Sequence, residues 1–313
     1  MVSISDVAHE AHVSKMTVSR VINHPEQVSA EIRTDVQRVI SQLGYVQNRA
    51  GRALANNRHY NIAFILLDDV NEIEPYYAHL LMHLTDSLRN EGYTLEMRHD
   101  RNFDLTNVDG FLVCGARHSD FDVLNNLPIP VVIYGTEAGI TSVDIDNKAG
   151  TYLATQLLIN RQYQHLLFLG MAIDEPFETN REAGYRQAMQ EAGREPEIHH
   201  LPNNEQIALQ FLQNNQLSAN TGIIAATDRL GLGALRASRH QGLAVPDEVG
   251  IVGFDGIYIH QLAEQSLTTV QQPLKEIAEK MVQLLLAELA GEIVTSEYIV
   301  PELIHGETTM SKN

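Results

Sequence analysis

The 313-residue sequence contains one cysteine, Cys114, which excludes an internal disulfide and fits a reducing compartment. It follows the apolar run Gly110-Phe111-Leu112-Val113 and reads as a small buried hydrophobe, not a nucleophile. No apolar run approaches the roughly eighteen residues that span a bilayer, and the opening lacks the charged-then-apolar plan of a secretory signal. The expected location is therefore cytoplasmic. Also missing are a G-x-G-x-x-G between strand and helix, a phosphate-binding P-loop and a G-x-S-x-G elbow, so no enzyme and no cofactor is expected. His79 and His83 have the i,i+4 spacing of two metal ligands, but without a third ligand they read as an ordinary helix face. His199-His200 reads as surface strand.

The charge is short of cations, with a formal net of −18 that would oppose nucleic-acid binding if it were spread evenly. It is not spread evenly. Residues 1–59 hold seven Lys or Arg against five Asp or Glu, a balance of +2, which leaves the remainder at −20. A mildly basic head on an acidic body suits DNA binding through one end. The length exceeds one ordinary domain, so two or three units are expected.

The head carries the densest pattern. Ser3 and Asp6 have capping-box spacing, and Ser14 is placed to cap a second helix. In that helix Val18, Val21 and Ile22 share an apolar face, leaving Lys15, Met16, Ser19, Arg20 and Asn23 on the other, a face that fits a major groove. A third helix is predicted from Ser29 to Leu43, with Ile32, Val36, Val39, Ile40 and Leu43 inward and Gly44 as a left-handed stop. Spacing alone also allows a generic three-helix bundle with a solvated second helix.

The letters are more specific. Asp6-Val7-Ala8, Val13-Ser14 and Thr17-Val18-Ser19-Arg20-Val21-Ile22-Asn23, continued by Pro25-Glu26, Val28-Ser29, Leu43-Gly44-Tyr45 and Asn48, closely resemble the opening of the lactose-repressor (LacI/GalR) family of transcription regulators. The polar run from Gln47 to Arg58 is compatible with a plain linker or one short helix. The resemblance implies a hinge helix that folds on DNA, with Leu54 wedged into the minor groove. By the same resemblance Ser14, Lys15, Met16, Thr17, Ser19, Arg20, Asn23, Asn48, Arg52 and Leu54 are the candidate DNA-binding residues. The sequence departs from the family at His12, where glycine is usual, at Gln47 for proline and at Gly51 for alanine.

From Asn61 the pattern is α/β. Apolar runs at Ile62–Leu67, Phe111–Val113, Val131–Tyr134, Leu166–Leu169, Gly222–Ala226 and Gly250–Phe254 alternate with amphipathic stretches at Tyr76–Asn90, Ala149–Asn160 and Arg181–Ala192. The fold class expected is a three-helix helix-turn-helix head and hinge helix, then a two-lobed periplasmic-binding-protein-like body of two doubly wound parallel sheets. The expected division is 1–46 for the head and 47–59 for the hinge. The first lobe takes 61–148 with about 272–300, and the second takes 149–271 with about 301–309.

Ligands of such sheets bind beyond the strands' carboxyl ends. Those ends carry Asp68 and Asp69, Gly135, Thr227 and Asp228, and Asp255, which either converge in a cleft or simply cap the next helix. Further family landmarks are Val143-Asp144-Ile145-Asp146-Asn147-Lys148-Ala149-Gly150, Arg181-Glu182-Ala183-Gly184-Tyr185, Leu232-Gly233-Ala234-Leu235, Val245-Pro246-Asp247-Glu248-Val249 and Val252-Gly253-Phe254-Asp255. The resemblance implies an effector site drawn from Tyr76, Tyr77, Gly135, Arg181, Thr227, Asp228 and Asp255. Gly135 replaces a frequent aspartate and Glu74 a frequent asparagine. A sugar is the favoured effector, with a purine or nucleoside as alternative, and a homodimer on pseudo-palindromic operator DNA is the expected assembly. A sugar-binding module whose head contacts protein instead of DNA is the reading of a different class.

Overall fold

The computed structural model describes residues 2–45, 53, 58–68, 75–98, 101, 103–136, 139–257 and 265–310, the Asn23 side chain excepted. The chain separates into two compact units, Met1–Tyr60 and Asn61–Asn313.

In the first unit, α1 (Ile4–Glu10), α2 (Lys15–Asn23) and α3 (Ala30–Leu43) close one small core of Val7, Ala8, Val18, Val21, Val36 and Val39. The capping box forms as the spacing predicts: Asp6 N donates to Ser3 Oγ, and Ser3 N donates to Asp6 Oδ2 at 2.8 Å. Ser14 Oγ accepts from Thr17 N at 3.0 Å and starts α2. Gly44, at φ +61°, ends α3. Ile32 departs from the expectation. It is 38% exposed, because α3 turns only its Val36 and Val39 side fully inward.

The turn that separates α1 from α2 is a Schellman motif. Val13 N donates to Ala8 O at 3.0 Å and His12 N to His9 O at 3.2 Å, with His12 itself at φ +53°. Histidine thus takes the left-handed position that glycine fills more easily, and the helix–turn–helix geometry is kept.

The second unit holds two six-stranded sheets. The first runs β2 (Thr94–Arg98), β1 (Asn61–Leu66), β3 (Gly110–Cys114), β4 (Val131–Tyr134), β5 (Thr141–Ile145) and β11 (Glu297–Ile299), all parallel. The second runs β7 (Glu197–Leu201), β6 (His165–Met171), β8 (Thr221–Ala225), β9 (Val249–Asp255), β10 (Thr268–Gln271) and β12 (Glu302–Ile304). It is parallel except at β12.

The helices are α4 (Pro75–Asn90), α5 (His118–Asn125), α6 (Asn147–Asn160), α7 (Pro176–Glu191), α8 (Glu205–Asn214), α9 (Asp228–His240) and α10 (Leu274–Leu289). Strands such as Phe111–Val113 and Ile223–Ala225 are buried on both faces, as parallel strands sandwiched by helices must be. The chain passes between sheets after β5, again between β10 and α10, which packs on α4 and β3–β5, and a third time between β11 and β12. In both sheets the strand order reverses beside the strand that comes first in the chain, between β1 and β3 and between β6 and β8. Those are the switch points where open parallel sheets leave a crevice. Among the described residues, no helix is long and apolar enough to cross a membrane.

Candidate functional site

Two features stand out, one in each unit. On α2, Lys15, Met16 and Arg20 are exposed while Val18 and Val21 are buried. Met16 is 64% exposed on that polar face. Thr17 and Ser19 lie half-buried at its margin, and Ser14 Oγ and Thr17 Oγ1 bond to each other at 2.8 Å. Asn48, Arg52 and Leu54, the hinge-side members of the predicted DNA-binding set, lie outside the described residues.

In the second unit a cavity of about 590 Å³ opens where the carboxyl ends of both sheets meet. Tyr76, Tyr77, Gly135, Arg181, Thr227 and Asp255, six of the seven predicted effector residues, line it. Asp228 is the correction. Its carboxylate faces away from the cavity, fully buried, accepting from Gly256 N at 3.1 Å and from the Thr269 hydroxyl. Burial, with the Asp255 charge second, pushes its pKa well above the carboxylate range. The position that opens α9 fixes the turn after β9 instead of facing a ligand.

Arg181 is held by several partners at once. It projects from the second turn of α7, is 5% exposed, donates from Nε to Asn147 Oδ1 at 2.9 Å and from Nη1 to Ala226 O at 2.6 Å, and lies 3.8 Å from Asp255 Oδ1. Asp255 sits at φ +113°, backbone that few non-glycine residues adopt and that recurs where a side chain is held for function. Its Oδ1 also accepts from Gln272 Nε2 at 2.8 Å. Gln272 in turn accepts at Oε1 from Tyr76 OH at 3.0 Å and from Tyr134 OH. One chain of hydrogen bonds therefore links the second sheet's Asp255 to aromatic residues of the first lobe, through a residue on the connection between them. Burial raises the pKa of the Tyr76, Tyr77 and Tyr134 hydroxyls, which stay neutral donors.

A second bridge crosses the cleft. Arg117, three residues beyond β3, donates to Asp68, two residues beyond β1, and pairs with Glu175, ahead of α7, at 3.3 Å. Tyr77 donates its hydroxyl to the same Asp68. Asp144, on β5, accepts from Thr136 Oγ1 at 2.8 Å and from Ile145 N; burial raises its pKa and those bonds oppose the rise. Thr227 donates to Asn203 Oδ1 at 2.7 Å while its Oγ1 caps α9.

Reading the sequence missed Arg117, Tyr134, Asp144, Asn147, Glu175, Phe177, Asn203 and Gln272, which all line the cavity. Tyr134 and Asp144 are within strands or landmarks already visible in the sequence, where the carboxyl-end rule extends to them. Gln272 follows a strand the apolar runs do not reveal. Cys114 lines the cavity but is 2% exposed, and burial pushes its thiol up, consistent with a packing role. His79 is exposed, His83 is half-buried, and no group of three metal-ligating side chains occurs among the described residues.

Comparison with known proteins agrees with this geometry. Residues 155–309 match the periplasmic binding protein-like domain, and residues 3–48 match the bacterial regulatory proteins of the lacI family. The chain is 34% identical over 318 residues to the uncharacterized HTH-type transcriptional regulator YvdE of Bacillus subtilis (strain 168), covering 99% of this chain and 100% of that one. Among solved structures, a CelR–cellobiose complex is 28% identical with a TM-score of 0.70, covering 98% of this chain and 100% of that chain. The lac repressor dimer bound to operator and the anti-inducer ONPF has the same fold, with a TM-score of 0.73 at 21% identity over 99% of both chains. A helix-turn-helix head joined to a two-sheet binding body, matched over its whole length by such a regulator, leaves one assignment: the chain belongs to the lacI family of bacterial regulatory proteins.

Proposed function

We propose that this protein is a homodimeric transcriptional repressor of carbohydrate uptake or catabolism genes, released from its operator by a sugar bound in the cleft. It acts in the cytoplasm, at the nucleoid, and is not an enzyme. The observation that carries the reading is the cavity at the two switch points, where tyrosine rings, side-chain amides and carboxylates surround Arg181. Carboxylates and amides accept and donate to hydroxyls, and aromatic rings cover the apolar faces of a pyranose. The CelR structure holds cellobiose, a ligand of this class.

The head supplies the second half. Lys15 and Arg20 reach phosphates or groove edges, Met16 and Ser19 discriminate bases, and Asn23, Asn48, Arg52 and Leu54 complete the contact set. Two heads on a two-fold dimer would read half-sites about one helical turn apart. The division proposed is 1–46, 47–59, 61–148 with 272–300, and 149–271 with 301–309. Membership of β11 in the first sheet and of β12 in the second supports placing the final crossing near residue 300. Operator and sugar are then linked ligands, so each weakens the other's binding by the same factor.

The test is a thermal-shift screen of the purified protein against mono- and disaccharides, sugar phosphates and nucleosides. A ligand at a hundred times its Kd adds about 2.7 kcal/mol of stability. A sugar that raises Tm and also releases operator DNA supports the reading. A nucleoside that does both in place of every sugar replaces the effector class while keeping the regulator.

A further inference from the structure

We infer that the cleft is built for an uncharged saccharide and rejects its phosphate ester, and that Arg117, clasped between Asp68 and Glu175, is the residue that sets this preference. The inference rests on the reading of the cleft as a sugar site and narrows it to one charge class.

Among the described residues that line the cavity there are three arginines and no lysine or histidine, against four carboxylates. None of the three guanidinium groups is free. Arg181 faces Asp255 at 3.8 Å and has spent donors on Asn147 and Ala226. Arg117 is held by Asp68 and by Glu175 at 3.3 Å. Arg229 is engaged as well. A phosphate dianion entering this wall meets, at Arg117 and Arg181, cations whose fields carboxylates already balance, and carboxylates that repel it at short range.

Helix N-termini are the fold's ready-made anion sites. At three helices that open on the cleft, the chain's own acids stand in or beside the first turn. Glu175 precedes α7 and Glu178 lies in its first turn. Asp228 lies in the first turn of α9, its carboxylate turned to Gly256 N. Asp146 caps α6 by accepting from Ala149 N at 2.9 Å. At those three ends a phosphate would meet an acid, whereas a hydroxyl finds acceptors at Asp68 and Glu175 and mixed donors and acceptors at Asn203 and Gln272.

Arg117 is the place where the balance can be shifted. Two carboxylates from opposite lobes neutralise it, Asp68 from the first and Glu175 from the second. Its side chain is 29% exposed, so a ligand can reach it. With either carboxylate made neutral, a donor fork that matches phosphate becomes available.

The experiment is calorimetric titration of the full chain with matched pairs: glucose and glucose 6-phosphate, trehalose and trehalose 6-phosphate, cellobiose and cellobiose 6′-phosphate. Wild type is expected to bind the plain sugar of at least one pair about tenfold or more tighter than its ester. Glu175→Gln, and Asp68→Asn as an independent variant, should each narrow that ratio at least about threefold, mostly by gaining affinity for the ester. An ester that binds wild type as tightly as its parent sugar overturns the inference and leaves the sugar reading standing. Silence from every pair, in a protein that still melts cooperatively, overturns both. A ratio unchanged in two folded variants overturns the role given to Arg117.

Discussion

The guanidinium carbon of Arg181 lies 3.8 Å from the centroid of the Phe254 ring, one residue before the Asp255 whose carboxylate it faces. Ring, carboxylate, Asn147 and Ala226 O together fix a planar cation in one orientation, which an ammonium cannot reproduce. Arg181→Ala leaves those partners without their donor and should cost the body roughly 1–3 kcal/mol. Operator affinity without ligand should hold, while ligand-driven release disappears. Fluorescence anisotropy on a labelled operator, with and without the sugar found by screening, reads both. Release that survives in the variant removes Arg181 from the site.

Gly184 sits where α7 crosses α6. A Cβ built on it would fall well inside contact distance of Lys148 O and 2.9 Å from Tyr152 N, both backbone atoms that cannot swing aside. Glycine at this point of the Arg181-Glu182-Ala183-Gly184-Tyr185 landmark therefore sets the distance between two helices, and with it the height of Arg181 above Asn147. Gly184→Ala should lower stability by about 1–3 kcal/mol, the usual cost of forcing extra atoms into a packed contact. Urea unfolding should show a lower midpoint, and sugar affinity should fall with it.

Asp228 makes stability depend on pH in a direction opposite to most carboxylates. Its ordinary value is 3.8, and burial with the Asp255 charge holds the folded value well above that. Below the unfolded value both states keep the proton. As pH rises through the window above it, the unfolded chain releases a proton that the folded chain retains, so this group's contribution falls until the folded value is passed. Asp228→Asn removes the titration and keeps an acceptor for Gly256 N or Thr269. Its urea midpoint should decline less between pH 4 and pH 7 than that of wild type. An equal decline would assign the slope to other groups.

How much of this was legible beforehand follows from where each residue sits. The six apolar runs became β1, β3, β4, β6, β8 and β9, the strands that both sheets bury at their centres. Of the other strands β2, β7, β11 and β12 are edge strands, while β5 and β10 are buried but carry Thr, Ser and Asp where an apolar run would show. β2 is exposed at Thr94, Glu96 and Met97, and β12 is three residues long. The cleft residues found from sequence follow or begin recognisable landmarks. Arg117 and Glu175 do not: they stand in connections whose sequence carries no period, and only tertiary pairing across the lobes gives them a role. Asp228 erred the other way, since adjacency to Thr227 says nothing about which side of α9 a carboxylate faces. His12 shows a local rule broken without loss of the turn, the Schellman bonds being made all the same.

In the hinge, Gly51 and Leu54 lie outside the described residues, and the family resemblance implies a helix there. A helix that forms only on operator DNA charges the whole cost of its formation to the binding equilibrium. Gly51 is a poor residue for such a helix, about 1 kcal/mol worse than alanine. Gly51→Ala should therefore tighten operator binding about fivefold at fixed salt, while sugar affinity of the free protein stays the same. Leu54→Ala should act in the opposite sense, removing the minor-groove wedge and loosening operator binding, again without touching the sugar site. Anisotropy titrations at matched ionic strength separate these effects from counterion release, because neither change alters charge. Two variants that bind operator as wild type does would mean that this segment does not fold on DNA, and the link between cleft and operator would have to run through the dimer alone.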